Sequence, residues 1–93
     1  MANAIVLFEI MPESPETNLE EVKDKIEALV KETGSKGNCD SKIEPLAFGL
    51  KKLIFGAMYE ISDDNDFDGT AEKMVDVEGV QSAKVLKVDL AMG

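Results

Sequence analysis

Apolar residues run almost unbroken from Ala4 to Met11, with Glu9 the sole charge among them. A run of that length and kind predicts a buried strand. Pro12 and Pro15 end it in a loop. Thr17 and Glu20 then stand at capping-box spacing, and Leu19, Val22, Ile26, Leu29 and Val30 fall on one helical face. Gly34 stops that helix, and residues 35–40 form a polar connection. Two more strands are predicted over residues 42–47 and 50–61, joined by a corner at Phe48 and Gly49. In the second of these, Leu53, Phe55, Ala57, Tyr59 and Ile61 share one face, and Ile54, Gly56 and Met58 the other. An acidic loop over residues 63–69 leads to a short helix over 70–77, with Met74 and Val77 inward and Gly79 just beyond. Residues 80–90 read as a last strand, in which Val80, Leu86, Val88 and Leu90 recur with a period near two.

The order is β-α-β-β-α-β. It predicts an α+β chain of the ferredoxin-like βαββαβ type, a four-stranded antiparallel sheet with two helices on one face. Ninety-three residues suit a single domain, 1–93, with one core. No repeat, second domain or coiled coil is indicated.

Charge narrows the partners. The net charge of −9 disfavours a nucleic-acid binder, because phosphates are repelled across most of the surface. The basic residues are ten lysines and no arginine, so bidentate clamps on phosphate or carboxylate cannot be built. Histidine is absent, which removes the commonest general base and the commonest metal ligand. Cys39 is the single cysteine and suits a reducing cytoplasm; without a histidine partner it reads as a plain loop or strand-edge thiol. No apolar run reaches membrane-spanning length and no charged leader precedes one, so neither secretion nor membrane insertion is expected.

The fold itself does not fix a function. Acyl-phosphate hydrolysis on such a scaffold needs an arginine. Soft-metal carriers place a Cys-x-x-Cys pair after the first strand, where this chain has Met11-Pro12-Glu13-Ser14. RNA-recognition modules need exposed aromatics in basic surroundings, which four phenylalanines and one tyrosine in an acidic chain fit poorly. What remains is a small-molecule-binding regulatory domain or a protein-interaction module, with no cofactor expected. Asp64, Asp66, Asp68 and Gly69 match the opening of a calcium loop, yet Val75 stands where the bidentate glutamate belongs. These aspartates are therefore read as a solvated loop near a helix N-terminus, with a weak cation site as the alternative. The acidic first helix is read as a solvated face, its Glu21–Lys25 and Glu27–Lys31 pairs at helical spacing.

The corner at Ile43-Glu44-Pro45-Leu46-Ala47-Phe48-Gly49-Leu50-Lys51-Lys52-Leu53 has two readings. In one, Phe48 covers a sheet edge and the lysines face solvent. In the other, an aromatic on a glycine turn anchors in a partner's pocket while charge steers the approach. Chemistry alone does not choose between them.

This segment closely resembles the most recognisable stretch of the translation elongation factor 1-beta family. Glu16-Thr17-Asn18-Leu19-Glu20-Glu21 is similar to the opening of that family's first helix, and Val80-Gln81-Ser82 to the start of its last strand. The similarity spans nearly the whole chain and looks like the short archaeal form. The resemblance implies the same ferredoxin-like fold and a guanine-nucleotide exchange factor for the GTPase elongation factor 1-alpha. It implies no covalent chemistry. The chain is expected in the cytoplasm and as a monomer when free. Phe48 would be the docking aromatic, with Gly49, Lys51 and Lys52 shaping the corner and Gln81 and Ser82 near the end of the exchange surface. Eukaryotic members carry an aspartate two residues beyond that serine and a lysine close to the C-terminus. Here Lys84 replaces the aspartate, and no lysine follows Lys87.

Overall fold

A computed structural model describes residues 3–61 and 65–91. The elements run β1 (Asn3–Pro12), α1 (Leu19–Glu32), β2 (Lys36–Pro45), β3 (Lys51–Glu60), α2 (Phe67–Met74) and β4 (Val80–Ala91). A short turn, Ala47–Gly49, joins β2 to β3. The strands form one antiparallel sheet in the order β2-β3-β1-β4. This is the expected ferredoxin-like arrangement.

Strand alternation sorts the sheet into two faces. Val6, Phe8 and Ile10 of β1 and Leu53, Phe55, Ala57 and Tyr59 of β3 are buried beneath the helices. There they meet Leu19, Val22, Ile26 and Val30 of α1, and Ala71 and Met74 of α2. Phe8 and Phe55 are essentially fully buried, which stabilises the fold by about 1.5–3 kcal/mol each. Ile5, Leu7 and Glu9 of β1 alternate with these residues, as do Ile54, Gly56 and Met58 of β3, and they line the opposite, open face. The first apolar run is thus buried on one side only, although its sequence reads as a strand covered on both. Period two is hidden wherever the open face also carries apolar side chains.

Local chemistry explains where the elements start and stop, and corrects four sequence expectations. Asn18, not Thr17, caps α1: its side-chain oxygen accepts from the backbone N–H groups of Glu20 and Glu21 at 3.0 and 3.4 Å. The Thr17 hydroxyl instead accepts from the Ser14 N–H. The helix ends in a Schellman pattern, with Ser35 N donating to Val30 O at 2.9 Å and Gly34 N to Lys31 O. β2 begins at Lys36, within the stretch expected to be a connection, and ends before Ala47. It is an edge strand, and an edge can be polar on both sides without losing its ladder.

α2 begins at Phe67, three residues early, because Asp66 accepts from Gly69 N at 2.9 Å and caps it. In β4, a register shift opposite Leu7 and Phe8 leaves Leu86 as an extra residue. Leu86 faces the open groove while Val88 pairs opposite Val6, so these two do not share a face as their spacing suggests.

Candidate functional site

The β2–β3 corner is a tight hairpin end. Ile43, Glu44 and Pro45 pair with Leu53, Lys52 and Lys51, and the chain then reverses. Leu46 N donates to Leu50 O at 2.7 Å, and Leu50 N returns a bond to Ala47 O at 3.3 Å. Phe48 has φ 64° and ψ 29°, and Gly49 has φ 75°. The strand pairing runs on to Leu46 and Leu50 and closes a three-residue loop, Ala47–Gly49, in which two successive residues take positive φ. Glycine accepts its position freely. Phenylalanine does not, because its β-carbon crowds the backbone there at a cost of about 1–2 kcal/mol. No burial offsets that cost, since Phe48 is 97% exposed. Phe48 therefore does not cover a sheet edge. The turn holds its ring in solvent.

The two lysines that follow part company. Lys51 is exposed on the helix side, beside Ile43 and a hollow of about 180 Å³ that Thr17, Asn18 and Leu19 also line. Lys52 points to the open face, where its Nζ lies 3.2 Å from Glu9 and 3.6 Å from Glu44. Glu9 also meets Lys84 at 3.5 Å, and Glu44 meets Lys42 at 3.2 Å. A chain of alternating charges therefore crosses all four strands. The hydrogen bond from Lys52 holds the Glu9 carboxyl below the usual range against a partial burial that opposes it. The same bond holds the Lys52 ammonium above its ordinary value. Lys52 is thus committed to the sheet, whereas Lys51 has no ion pair among the described residues and stands exposed at the corner that carries Phe48.

Gln81 and Ser82 are exposed at the start of β4. Leu53, Ile10 and Ala83 share one row across the sheet, so Gln81 and Ser82 lie just beyond it, at the same end as Lys51. The corner and the start of β4 thus project from one end of the sheet. At the other end, β4 finishes opposite the start of β1, with Ala91 paired to Asn3.

Asp64 lies outside the described residues. Asp66 is occupied as the α2 cap and Asp68 is exposed in the first turn, where carboxylates suit the helix dipole. Cys39 is half-buried against the core with its Sγ 3.8 Å from the Ser35 hydroxyl, a strand-edge thiol as its context suggested. What sequence reasoning missed is the charge chain. Its signal was present in Glu9, a lone carboxylate inside an apolar run.

Comparison with known proteins places these features in a family. Residues 5–90 match the model of the EF-1 guanine nucleotide exchange domain. Elongation factor 1-beta of Pyrococcus furiosus is 39% identical over 83 residues, covering 89% of each chain. The Pyrococcus abyssi protein of the same name is 37% identical over the same share. That of Methanococcus vannielii is 37% identical over 92 residues, covering 97% of this chain and 99% of its own.

Proposed function

Given that the chain belongs to the elongation factor 1-beta family and acts in guanine-nucleotide exchange during translation elongation, we propose that its partner is the GTPase elongation factor 1-alpha and that Phe48 is the docking anchor. The observation that carries this reading is the strained, solvent-held ring. An aromatic kept at a positive φ with no packing to offset the strain is explained by a surface outside the molecule. In a partner's pocket it becomes the kind of buried aromatic that dominates interface energies. Gly49 shapes the turn, and Lys51 adds a free positive charge beside the ring. Gln81 and Ser82 extend the contact along the same end of the sheet. Lys52 acts at one remove, by tying β3 to β1 and β2 through Glu9 and Glu44.

An exchange factor makes and breaks no covalent bond. The chain binds the nucleotide-free GTPase more tightly than the GDP-bound one, and that difference drives GDP out before GTP refills the site. A net charge of −9 favours approach to a cationic partner. In this reading one domain works in the cytoplasm on a protein partner, without cofactor and without direct contact to nucleic acid or membrane. Among the described residues, no helix is long and apolar enough to cross a membrane. The test is release of labelled GDP from elongation factor 1-alpha with free nucleotide in excess. The chain should accelerate release many-fold at micromolar concentration, and no acceleration refutes the proposal.

A further inference from the structure

One row of the core is left open at its outer end. Ile43, Leu53, Ile10 and Ala83 stand side by side on the helix-facing side of β2, β3, β1 and β4. Leu53 and Ile10 are fully buried there, whereas Ile43 is 43% exposed. The helices do not cover it. The hollow of about 180 Å³ lies between Ile43 and Leu19 in the first turn of α1, and Pro12 and Pro15 add to its apolar wall. Lys51 lines it from the corner and Glu20 from the helix. Glu13, Glu16, Glu20 and Glu21 follow one another through this loop and helix start with no lysine among them. Lys51 is three residues beyond Phe48, so the hollow adjoins the docking corner. An apolar core position left open at such a place is completed by a side chain from outside the molecule.

We propose that this hollow receives a long basic side chain, lysine or arginine, of the GTPase that Phe48 engages. The inference rests on the reading of the corner as the docking end and adds a second anchor to it. Such a side chain has an apolar stem and a charged head. Laid over Ile43, Leu19 and Pro15, the stem covers the surface that the helices leave open. The head is drawn toward Glu20 and turned from Lys51. Glu20 is available for it: the carboxylate is exposed, without an ion pair among the described residues, and the α1 cap uses only its backbone N–H. A purely apolar side chain would leave the carboxylates of this end unanswered, and an acidic one would be repelled by them. The two anchors also run in opposite directions. Phe48 enters the partner while the partner enters the hollow, and together they fix an orientation that a single ring leaves free to rotate.

GDP release from elongation factor 1-alpha, measured against the concentration of the full chain, tests the proposal. Ile43→Trp fills the hollow from within. It should raise the half-saturating concentration by roughly tenfold or more while the melting temperature holds or rises, because the indole covers apolar surface that is open in the wild type. A merely structural role for Ile43 would lower the melting temperature instead. Glu20→Lys should raise the half-saturating concentration by roughly tenfold at low salt, and by less at high salt. Glu32→Lys makes the same charge change at the far, exposed end of α1, about 18 Å away, and should stay within roughly twofold of wild type. Should Ile43→Trp fail to fold, the comparison of the two charge reversals decides alone. Wild-type half-saturation in Ile43→Trp overturns the proposal. Equal losses in Glu20→Lys and Glu32→Lys overturn it too, because net charge alone then steers the approach. In both of those cases docking through Phe48 stands, since the wild type still accelerates release; a wild type that does not removes the reading on which the hollow's role rests.

Discussion

Replacing Phe48 with asparagine separates strain from recognition. The ring is 97% exposed, so its removal forfeits almost no buried area. At φ 64° and ψ 29° the phenylalanine costs about 1–2 kcal/mol, whereas asparagine tolerates the left-handed region. Phe48→Asn should therefore stabilise the chain by about 1 kcal/mol, a rise in melting temperature of about 4–8 °C for a domain of this size. The same change should cripple exchange. Loss of an aromatic anchor removes about 2 kcal/mol or more of docking energy, about 30-fold in affinity. Phe48→Ala, which keeps the β-carbon strain, should leave the melting temperature nearly unchanged and lose exchange equally. Thermal unfolding followed by circular dichroism reads the first effect, and GDP release at sub-saturating chain reads the second. A destabilisation of about 3–5 kcal/mol, as for a core phenylalanine, would refute the exposed-anchor argument. Wild-type GDP release by the asparagine variant would refute docking through Phe48.

Three further outcomes follow from the structure. Asn18→Ala should cost about 1 kcal/mol in chemical denaturation, and a larger loss in Thr17→Ala than in Asn18→Ala would contradict the cap assignment. Because Lys52 depresses the Glu9 pKa in the fold, that carboxylate contributes stability present above its unfolded pKa and lost as pH falls through the folded value. Denaturation across the acid range should show Glu9→Gln with a shallower loss than wild type; parallel curves would count against the coupling. Tyr59→Phe removes a 3.1 Å bond between two hydroxyls, since Thr33 donates to Val30 O and so accepts from Tyr59. About 1 kcal/mol should be lost in urea unfolding, and an unchanged midpoint would mean that the bond contributes nothing.

Much of the fold was legible because the helix-facing residues carry strong periodicity. The α1 stripe of Leu19, Val22, Ile26 and Val30 and the β3 alternation from Leu53 to Tyr59 both packed as their spacing predicts. β2 was shortened in the sequence reading because hydrogen bonding along an edge leaves no hydrophobic signature in residues such as Lys36 and Asp40. The side assignments of Leu86 and Val88 failed because one extra residue changes parity, and a bulge has no reliable spelling in sequence. At the corner, the glycine and the odd phenylalanine were visible. The strain was not, since it depends on the backbone angle at Phe48 and not on residue type. Likewise Lys51 and Lys52 read as one basic pair, yet strand alternation sends them to opposite faces and into different work.

The three-residue loop that carries Phe48 also limits how the hairpin can change in length. One residue added to each of β2 and β3 pushes the corner outward by about 3.4 Å and turns it over, because each step along a strand inverts the facing side. Two added to each keep the ring on its present side and extend it by about 7 Å. A single residue added on one strand alone forces a bulge or a new loop type. The reach of this corner toward another molecule can therefore grow or shrink only in coarse steps, and an insertion of the wrong parity silences the ring without unfolding anything.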